Sequence, residues 1–404
     1  MGNDYKTGVS LLKQGQAPGN MDILNEVSVG IRPFVGFLKE KYLQEYISNG
    51  GSKIKFVTGR AGSGKTHFLQ FLSGEAESAG FKAVGFSAKD VWLHDFKSIY
   101  LEILGRCDLA GCIKRCAGQV VKELGYCESD IPEGMSFADY LSGIGELDAL
   151  TKKEIRNQLQ KMFLKNPLMD SNFAIACSLL AGGALGHPAL ESQNREQLML
   201  WLFGNKDVAL PAIRRLGLAP SRITRYNARH MLRSLAELHS LAGCPGILIT
   251  IDNVDILAYS SSMDTIRYTK MKRTDAYESI RELIDEIDTL RNIMFVFSFD
   301  RRLIDDELAG LKSYYALWAR IQNEIVSGNF NQFTDIIDMD VLGKRIYTRE
   351  AIVEMSERLA GVIGTASSGA RGISAEKAEE MISLSHFTGT SLPRQVVKEV
   401  LADD

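Results

Sequence analysis

The sequence predicts an α/β fold that has a parallel sheet core, a helical insertion and a C-terminal helical lid. Five short apolar stretches between residues 54 and 339 have the composition of buried strands. A glycine-rich turn follows the first of them and opens a helix. Residues 105–244 show no strand pattern and consist of helical segments joined by Gly, Pro and Asn turns. Strands on both sides of this region indicate one sheet that is interrupted by an insertion.

The first strand, Ile54–Thr58, leads into the most specific motif of the chain. The motif fits G-x-x-x-x-G-K-[ST], the P-loop, and a helix from Thr66 to Ala79 follows it. A strand, a glycine-rich turn and a helix in this order are the context in which a P-loop binds phosphates. The residues of the motif are Gly59, Arg60, Ala61, Gly62, Ser63, Gly64, Lys65 and Thr66.

The chemistry of nucleotide binding explains these residue types. The three glycines let the backbone turn its N–H groups toward phosphate oxygens, and the helix N-terminus adds partial positive charge. Lys65 can reach the β- and γ-phosphates, and the Thr66 hydroxyl can ligate Mg²⁺. His67 follows in the same segment and is included among the predicted nucleotide-binding residues, where we expect it to pack or to form a hydrogen bond rather than to take part in catalysis.

A later strand, Gly246–Asp252, ends in an acid, as a Walker B strand does. Asp252 would hold Mg²⁺ together with Thr66, commonly through a water molecule. The alternative is an ordinary buried strand that is capped by a turn aspartate. Because a P-loop lies upstream, the magnesium role is favoured.

The other predicted strands are Lys82–Phe86, Asn292–Phe299 and Phe333–Met339. Ligands of open parallel sheets bind at the carboxyl ends of the strands. The P-loop, Asp252 and Ser298 all fall at such ends, so we expect one site there.

These patterns divide the chain into four parts. Residues 1–30 are predicted to be a flexible N-terminal segment. Residues 31–104 and 245–345 are predicted to form the P-loop core, residues 105–244 the helical insertion, and residues 346–404 the helical lid.

Composition excludes several classes of protein. Of the 404 residues, 45% are hydrophobic and 24% are charged, so a packed globular protein is expected. The formal net charge of −3 gives no overall basic excess that would favour nucleic acid. No signal peptide or membrane span is expected, because the most apolar run, Phe173–Gly186, is short and is better interpreted as a buried helix.

The six cysteines are expected to be reduced thiols of a cytoplasmic protein. Four of them, Cys107, Cys112, Cys116 and Cys127, lie close together in the sequence without a C-x-x-C pair. They can be interpreted as a zinc site or as small buried apolar side chains, and the second interpretation is favoured.

Several stretches beyond the P-loop carry a more specific pattern. They lie before and after the first strand, in the insertion, ahead of the Walker B strand, after the fourth strand and in the lid. The stretches are Ile31–Pro33, Phe56–Gly59, Ala79–Phe81, Leu200–Gly204, Asn227–Arg233, Ala242–Gly243, Ser313–Arg320 and Leu392–Arg394.

Together with the core and the lid, these stretches make the chain resemble AAA+ or related STAND-type ATPases. More narrowly, from about residue 27 onward the chain resembles the P-loop ATP-binding proteins of bacterial phage-exclusion (BREX-type) defence systems. The resemblance implies Mg-ATP binding, assembly into homo-oligomers and a role in antiviral defence beside other proteins of the system. It also allows contact with DNA, either direct or through those partners.

The resemblance further implies roles for single residues. Ser298 would be the sensor on the fourth strand, and Arg394 would be the lid arginine that touches the γ-phosphate. Arg320, or Arg301 and Arg302, would reach the nucleotide of a neighbouring subunit as an arginine finger. The alternative for each arginine is a salt bridge within the chain.

The chain departs from the family pattern directly after the Walker B aspartate. The pattern places a glutamate there, which would polarise the attacking water, whereas this chain has Asn253. An amide cannot accept the proton, although Asp255 could substitute for the missing base. Because a positioned base contributes ~10²–10⁴-fold to a rate, we expect firm ATP binding with slow hydrolysis.

Two other functions remain open at this stage. One is a regulatory switch whose ATP-bound form only docks a partner, and the other is a DNA-remodelling loader like the replication initiators. Arg267–Arg273 and Arg222–Arg233 are basic stretches that would suit contact with DNA. The alternative, a solvated surface, is favoured for both.

Overall fold

The computed structural model describes residues 3–219, 221–325, 333–364, 371–385 and 391–402. The chain divides into two compact units, and the second one interrupts the first. The first unit comprises Met1–His94, Leu248–Asp288 and Ile293–Asp404, and the second comprises Asp95–Ile247 and Thr289–Asn292.

The first unit is built on a five-stranded parallel sheet with the strand order β2-β3-β4-β1-β5. All five predicted strands are present, so the predicted α/β fold is confirmed, although the last strand is shorter than predicted. The strand that carries the P-loop, β1, pairs in parallel with β4 and β5. The strands are β1 (Ser52–Gly59), β2 (Lys82–Ser87), β3 (Ile247–Asp252), β4 (Ile293–Asp300) and β5 (Ile336–Asp338).

Helices make up most of the remaining structure. Two of them continue as π-helical segments, at Leu38–Ile47 after α3 and at Gln160–Leu164 after α8. The helices are α1 (Asn3–Lys13), α2 (Met21–Val27), α3 (Arg32–Phe37), α4 (Lys65–Ser78), α5 (Phe96–Arg106), α6 (Leu109–Glu123), α7 (Phe137–Gly143), α8 (Ala149–Leu159), α9 (Ser171–Leu185), α10 (Ser192–Leu202), α11 (Leu210–Arg215), α12 (Ala228–Leu241), α13 (Lys270–Glu286), α14 (Arg302–Asp305), α15 (Tyr315–Ile325), α16 (Met339–Ile346), α17 (Arg349–Gly364), α18 (Ala375–Ser385) and α19 (Leu392–Ala402).

Helix α4, which follows the P-loop, is fixed by apolar burial. Its Phe68 and Leu72 are fully buried in a cluster that also contains Val57 of β1 and Val296 of β4. The ring of Phe34 in α3 stacks on Phe68 with 5.9 Å between centroids. The start of α4 is therefore held at the end of β1, where the P-loop joins them.

The N-terminal residues differ from the prediction of a flexible segment. They form α1 and α2, whose apolar side chains share one buried cluster with those of α17, α18 and α19. Val9 and Val27 belong to this cluster, as do Leu359 and Val396. The packing partners of α1 and α2 lie more than 300 residues later in the sequence, so the local pattern alone did not reveal their burial.

The described part of the second unit contains the helices α5 to α12 and, of the strands, only Ile247, the first residue of β3. It begins at Asp95, so α5, which the sequence assigned to the core, belongs to it. Helix α9 is the apolar run that was interpreted as a buried helix, and Phe173, Cys177 and Leu185 are among its buried residues. No helix in the described part of the chain combines the length and the apolar character that a membrane crossing requires.

The cysteines of the second unit lie mostly in its apolar interior. Cys107, Cys112, Cys116 and Cys177 are buried, and burial raises the pKa of the Cys116 thiol to about 12. Cys127 is exposed. Among the residues that the structure describes, no group of three or more His, Cys, Asp or Glu side chains is placed to hold a metal ion.

Candidate nucleotide-binding site

A cavity of about 570 Å³ lies in the first unit, beside the P-loop and the end of β3. Its two sides differ in chemistry. We call the polar side the floor and the side formed by the N-terminal and C-terminal helical segments the roof. The floor consists of Gly62, Gly64, Lys65, Thr66, Asp252 and Asn253, and the roof of Val27, Ser28, Val29, Ile31, Tyr347, Met355, Leu359, Pro393 and Arg394.

The P-loop backbone needs its glycines. Gly62 and Gly64 have φ angles of 79° and 89°, in the left-handed region that side chains disfavour. A Cβ atom on Gly59 would lie only 2.5 Å from the hydroxyl oxygen of Ser63, which is itself buried. The loop therefore has the tight curvature that the motif predicts.

The Lys65 ammonium group lies against the P-loop. Its Nζ donates hydrogen bonds to the carbonyl oxygens of Gly59, at 2.8 Å, and Arg60, at 2.9 Å. Burial lowers the pKa of Lys65, and nearby carboxylates partly offset this effect. Those carboxylates belong to Asp300, Asp255, Asp252 and Asp340. The ammonium group is thus a cation held among acids at the mouth of the loop.

The two predicted magnesium ligands meet at the floor. The Thr66 hydroxyl donates to Oδ2 of Asp252 at 2.5 Å, although 186 residues separate them in the sequence. The other carboxylate oxygen, Oδ1, accepts the backbone N–H of Asn253 at 2.8 Å. A hydroxyl and a carboxylate in contact beside a phosphate-binding loop are oxygen donors that fit Mg²⁺.

Asn253 lines the cavity with its backbone in the left-handed conformation, at a φ of 58°. Asparagine tolerates this conformation better than most side chains. Its Nδ2 donates to the hydroxyl of Ser87, the last residue of β2, at 3.1 Å. The amide of Asn253 therefore follows Asp252 directly and is oriented by the neighbouring strand.

Asp255 is turned toward β4 instead. Its Oδ1 accepts the backbone N–H of Asp300 at 3.0 Å, and burial raises the pKa of the Asp255 carboxyl. Among the described residues, Asn253 lines the cavity and Asp255 does not. In this conformation the carboxylate of Asp255 braces the end of β4.

Ser298 lies deeper in the sheet than the carboxyl ends of the strands. It is level with Val57, is fully buried, and its hydroxyl has no hydrogen-bond partner in the described part of the chain. Asp300 is the residue level with Gly59, at the start of the P-loop. Ser298 was predicted as a site residue and Asp300 was not, although an acid at the end of a predicted strand is a signal that the sequence does carry.

The side chain of Arg394 packs against the P-loop. A Cβ atom on Gly62 would come within 2.7 Å of its Cδ, so the two residues are in close packing. Near the start of the same helix, Ser391 donates its hydroxyl to the carbonyl oxygen of Ala61 at 3.1 Å. The roof and the P-loop are therefore in direct contact.

The other candidate arginines are in ion pairs within the first unit. Arg320 makes a bidentate pair with Asp285, with Nε–Oδ1 and Nη2–Oδ2 distances of 2.5 and 2.8 Å. Arg301 pairs with Asp338 at 2.7 Å, and Arg302 pairs with Asp300 at 3.0 Å. To act as an arginine finger, any of these side chains would first have to break its ion pair with the carboxylate.

His67 connects α4 with the N-terminal segment. Its Nε2 lies 2.7 Å from the hydroxyl oxygen of Ser28, just after α2. Burial lowers the pKa of His67 to about 4, so the ring is neutral near pH 7. This geometry agrees with a histidine that packs and forms a hydrogen bond.

The roof, apart from Arg394, was not predicted from the sequence. Its residues come from two regions, around Val27–Ile31 and between Tyr347 and Arg394. Apolar side chains in short helices give no signal that they share a cavity with a motif elsewhere in the chain. The stretches Ile31–Pro33 and Leu392–Arg394, which carry part of the resemblance, were the only hints.

Comparison with known proteins agrees with this geometry. The family model for the BREX system ATP-binding proteins BrxC/D matches residues 5–403. A search of curated proteins gave no match. Because the family match covers nearly the whole chain, both units included, the chain belongs to the family of BREX system ATP-binding proteins BrxC/D.

Proposed function

We propose that the protein is a Mg-ATP-dependent switch that hydrolyses ATP slowly. The observation that carries this proposal is the contact between Thr66 and Asp252, at 2.5 Å, beside Lys65 on a P-loop. The chain belongs to a family of BREX system ATP-binding proteins, and this family provides the biological setting.

In the proposed complex, the backbone N–H groups of the P-loop bind the phosphates. The ammonium group of Lys65 exchanges the carbonyl oxygens of Gly59 and Arg60 for the β- and γ-phosphates. Thr66 and Asp252 would hold Mg²⁺, which neutralises the phosphate charge. The apolar roof residues, such as Val29 and Leu359, would cover the adenine ring of the nucleotide and exclude water from it.

We expect slow hydrolysis because the residue that lines the cavity after Asp252 is an asparagine and not a glutamate. Asn253 can hold a water molecule but cannot take its proton, and its amide is already bonded to Ser87. Asp255 is the nearest alternative base, but its carboxylate is engaged by the backbone of Asp300. A long-lived ATP state suits a component that reports nucleotide occupancy to its partners.

The roof would report that occupancy. We propose that Arg394, packed on Gly62, contacts the γ-phosphate, so that the C-terminal helices respond to ATP. Because Ser298 is fully buried, it would act as a sensor only indirectly, through neighbouring residues that reach the nucleotide. Arg320, or Arg301 and Arg302, would reach a neighbouring subunit in a cytoplasmic homo-oligomer after leaving their carboxylates.

Direct DNA binding by the basic stretch Arg267–Arg273 is less well supported. The Nζ of Lys272 lies 3.9 Å from the ring centroid of Trp92, and the Tyr268 hydroxyl accepts the backbone N–H of Leu93. The aromatic side chains are thus occupied within the unit rather than presented to bases. We therefore propose that contact with DNA is made through partner proteins of the defence system.

The test is calorimetric titration of the purified protein with ATP, with and without Mg²⁺. Lys65→Ala should weaken Mg-ATP binding at least about tenfold, because a charge-assisted contact contributes about 1.5–3 kcal/mol. Lys114→Ala, which removes an exposed lysine of the second unit, is the matched control and should bind like the wild type. Equal affinities of wild type and Lys65→Ala would refute the proposed site.

A further inference from the structure

The second unit carries two segments of opposite charge. Residues 123–148 contain seven Asp and Glu residues and no Lys or Arg, whereas residues 206–233 contain seven Lys and Arg residues and one acid, Asp207. We call these the acidic segment and the basic segment. The net charge of the whole chain is only −3. Opposite charges are therefore separated into two regions of one helical unit instead of being mixed evenly over its surface.

The two segments lie at opposite ends of the buried helix α9. At its C-terminal end, a Cβ atom on Gly186 would lie 2.9 Å from Cβ of Ser136 and 3.1 Å from Cβ of Ala138, both in the acidic segment. At its N-terminal end, Asn172 accepts the backbone N–H of Ala219, in the basic segment, at 2.9 Å. A helix of 15 residues is about 22 Å long, so the two charges are well separated.

The charged side chains are available at the surface. All seven acids of the acidic segment are exposed. In the basic segment, Arg214, Arg215 and Arg222 are exposed, and within the described ranges no carboxylate lies in ion-pair distance of any of them. The acidic segment therefore does not neutralise these three arginines within the described part of the unit.

Exposed apolar side chains accompany both segments. Met135, Ile144 and Leu150 are 47%, 49% and 71% exposed in and beside the acidic segment. In the basic segment, Tyr226 is 79% exposed. Tyrosine, arginine and methionine are enriched in protein–protein interfaces, where apolar contacts supply affinity and charges supply orientation.

We propose that the acidic segment of one copy docks on the basic segment of a second copy. This occupant accounts for both segments, with their charges and their exposed apolar residues, whereas a nucleic acid would account for the basic segment alone. A contact between two different surfaces of the same chain is heterologous, so repeated docking gives a closed ring or an open filament.

The inference rests on the self-association invoked in the proposed function, but its surfaces are separate from the nucleotide site. Failure of either can therefore be recognised. A Lys65→Ala variant that no longer binds ATP should still dock through these segments. Loss of the docking contact should in turn leave ATP affinity unchanged.

The experiment measures the mass of the full-length protein by sedimentation velocity, before and after nuclease treatment, over a range of protein and salt concentrations. The basic-segment variant combines Arg214→Glu, Arg215→Glu and Arg222→Glu. The acidic-segment variant combines Glu123→Lys, Asp130→Lys and Glu133→Lys. The control combines Lys153→Glu, Arg156→Glu and Lys161→Glu, which gives the same change in net charge as the basic-segment variant at exposed positions of the same unit.

The expected result is that each segment variant alone associates at least about tenfold more weakly than the wild type, and that mixing the two restores association. The control should associate like the wild type, and high salt should weaken all the restored contacts. A wild type that stays monomeric, a mixture that is not rescued, or association that disappears with nuclease treatment would overturn the proposal. The last outcome would assign the basic segment to nucleic acid.

Discussion

The floor and the roof of the nucleotide cavity are built in different ways. The floor comes from one contiguous motif and the end of β3, and hydrogen bonds such as that between Thr66 and Asp252 hold it together. The roof comes from residues near the two ends of the chain, and apolar burial in the cluster of α1, α2 and α17–α19 holds it together. Directional contacts fix the geometry of the chemistry, whereas non-directional packing fixes how tightly the site is covered.

This difference suggests that the floor and the roof contribute differently to binding and to stability. Damage to the floor should remove phosphate and metal binding without unfolding the chain. Damage to the roof should weaken the protein and the affinity together, because the same side chains stabilise the helices and cover the cavity. The contact of Arg394 and Ser391 with the P-loop is where the two regions meet.

The largest expected effect comes from the roof. Leu359→Ala should lower the free energy of unfolding by about 3 kcal/mol, because it leaves a cavity in a buried cluster, and it should also weaken ATP binding. Leu283→Ala in α13 is the matched control, since that leucine is equally buried but does not line the site. Denaturant unfolding and calorimetry on both variants measure the two effects. If Leu359→Ala loses stability but keeps full ATP affinity, the roof does not cover the nucleotide.

A smaller effect is expected where the floor meets the roof. Gly62→Ala places a side chain at a φ of 79° and against Arg394, so we expect ATP binding about tenfold weaker. Gly36→Ala in α3 is the control, because a methyl group there meets nothing within 4 Å. Equal ATP affinity of the two alanine variants would show that the close packing of Gly62 on Arg394 is irrelevant to binding.

The smallest expected effect concerns a single hydrogen bond between the regions. Ser391→Ala removes the bond to the Ala61 carbonyl oxygen and should weaken ATP binding by about 1 kcal/mol, or roughly fivefold. Ser383→Ala removes a comparable bond to Glu379 within α18 and should leave ATP binding unchanged. Titrations of both variants under one set of conditions decide whether the contact to the P-loop matters.

The same contrast explains what the sequence could predict. The floor was predictable because the P-loop is a local motif whose glycines, Lys65 and Thr66 each have a chemical reason for their position. Asp252 was predictable because an acid ends an apolar strand downstream of that motif. The five strands followed from their apolar composition, which is strong in a sheet covered on both faces.

The rest depended on contacts between distant parts of the chain. The burial of Val9 and Val27 requires partners in α17 and α19, and no local pattern names those partners. Ser298 was assigned from the resemblance, and its level against Val57 rather than Gly59 depends on strand register, which one sequence does not show. Nothing in the sequence around Arg320 indicated that its side chain would form an ion pair with Asp285.

The most direct test of the central claim, a slow switch set by Asn253, is steady-state phosphate release with saturating Mg-ATP. Asn253→Glu supplies the missing base, and Asn253→Gln is its matched control, with the same chain length at the same left-handed backbone but no carboxylate. We expect a wild-type turnover well below about one per second, a rise of about a hundredfold for Asn253→Glu, and no rise for Asn253→Gln. Wild-type turnover at about one per second or faster would contradict it and would make Asp255 the first candidate for the base.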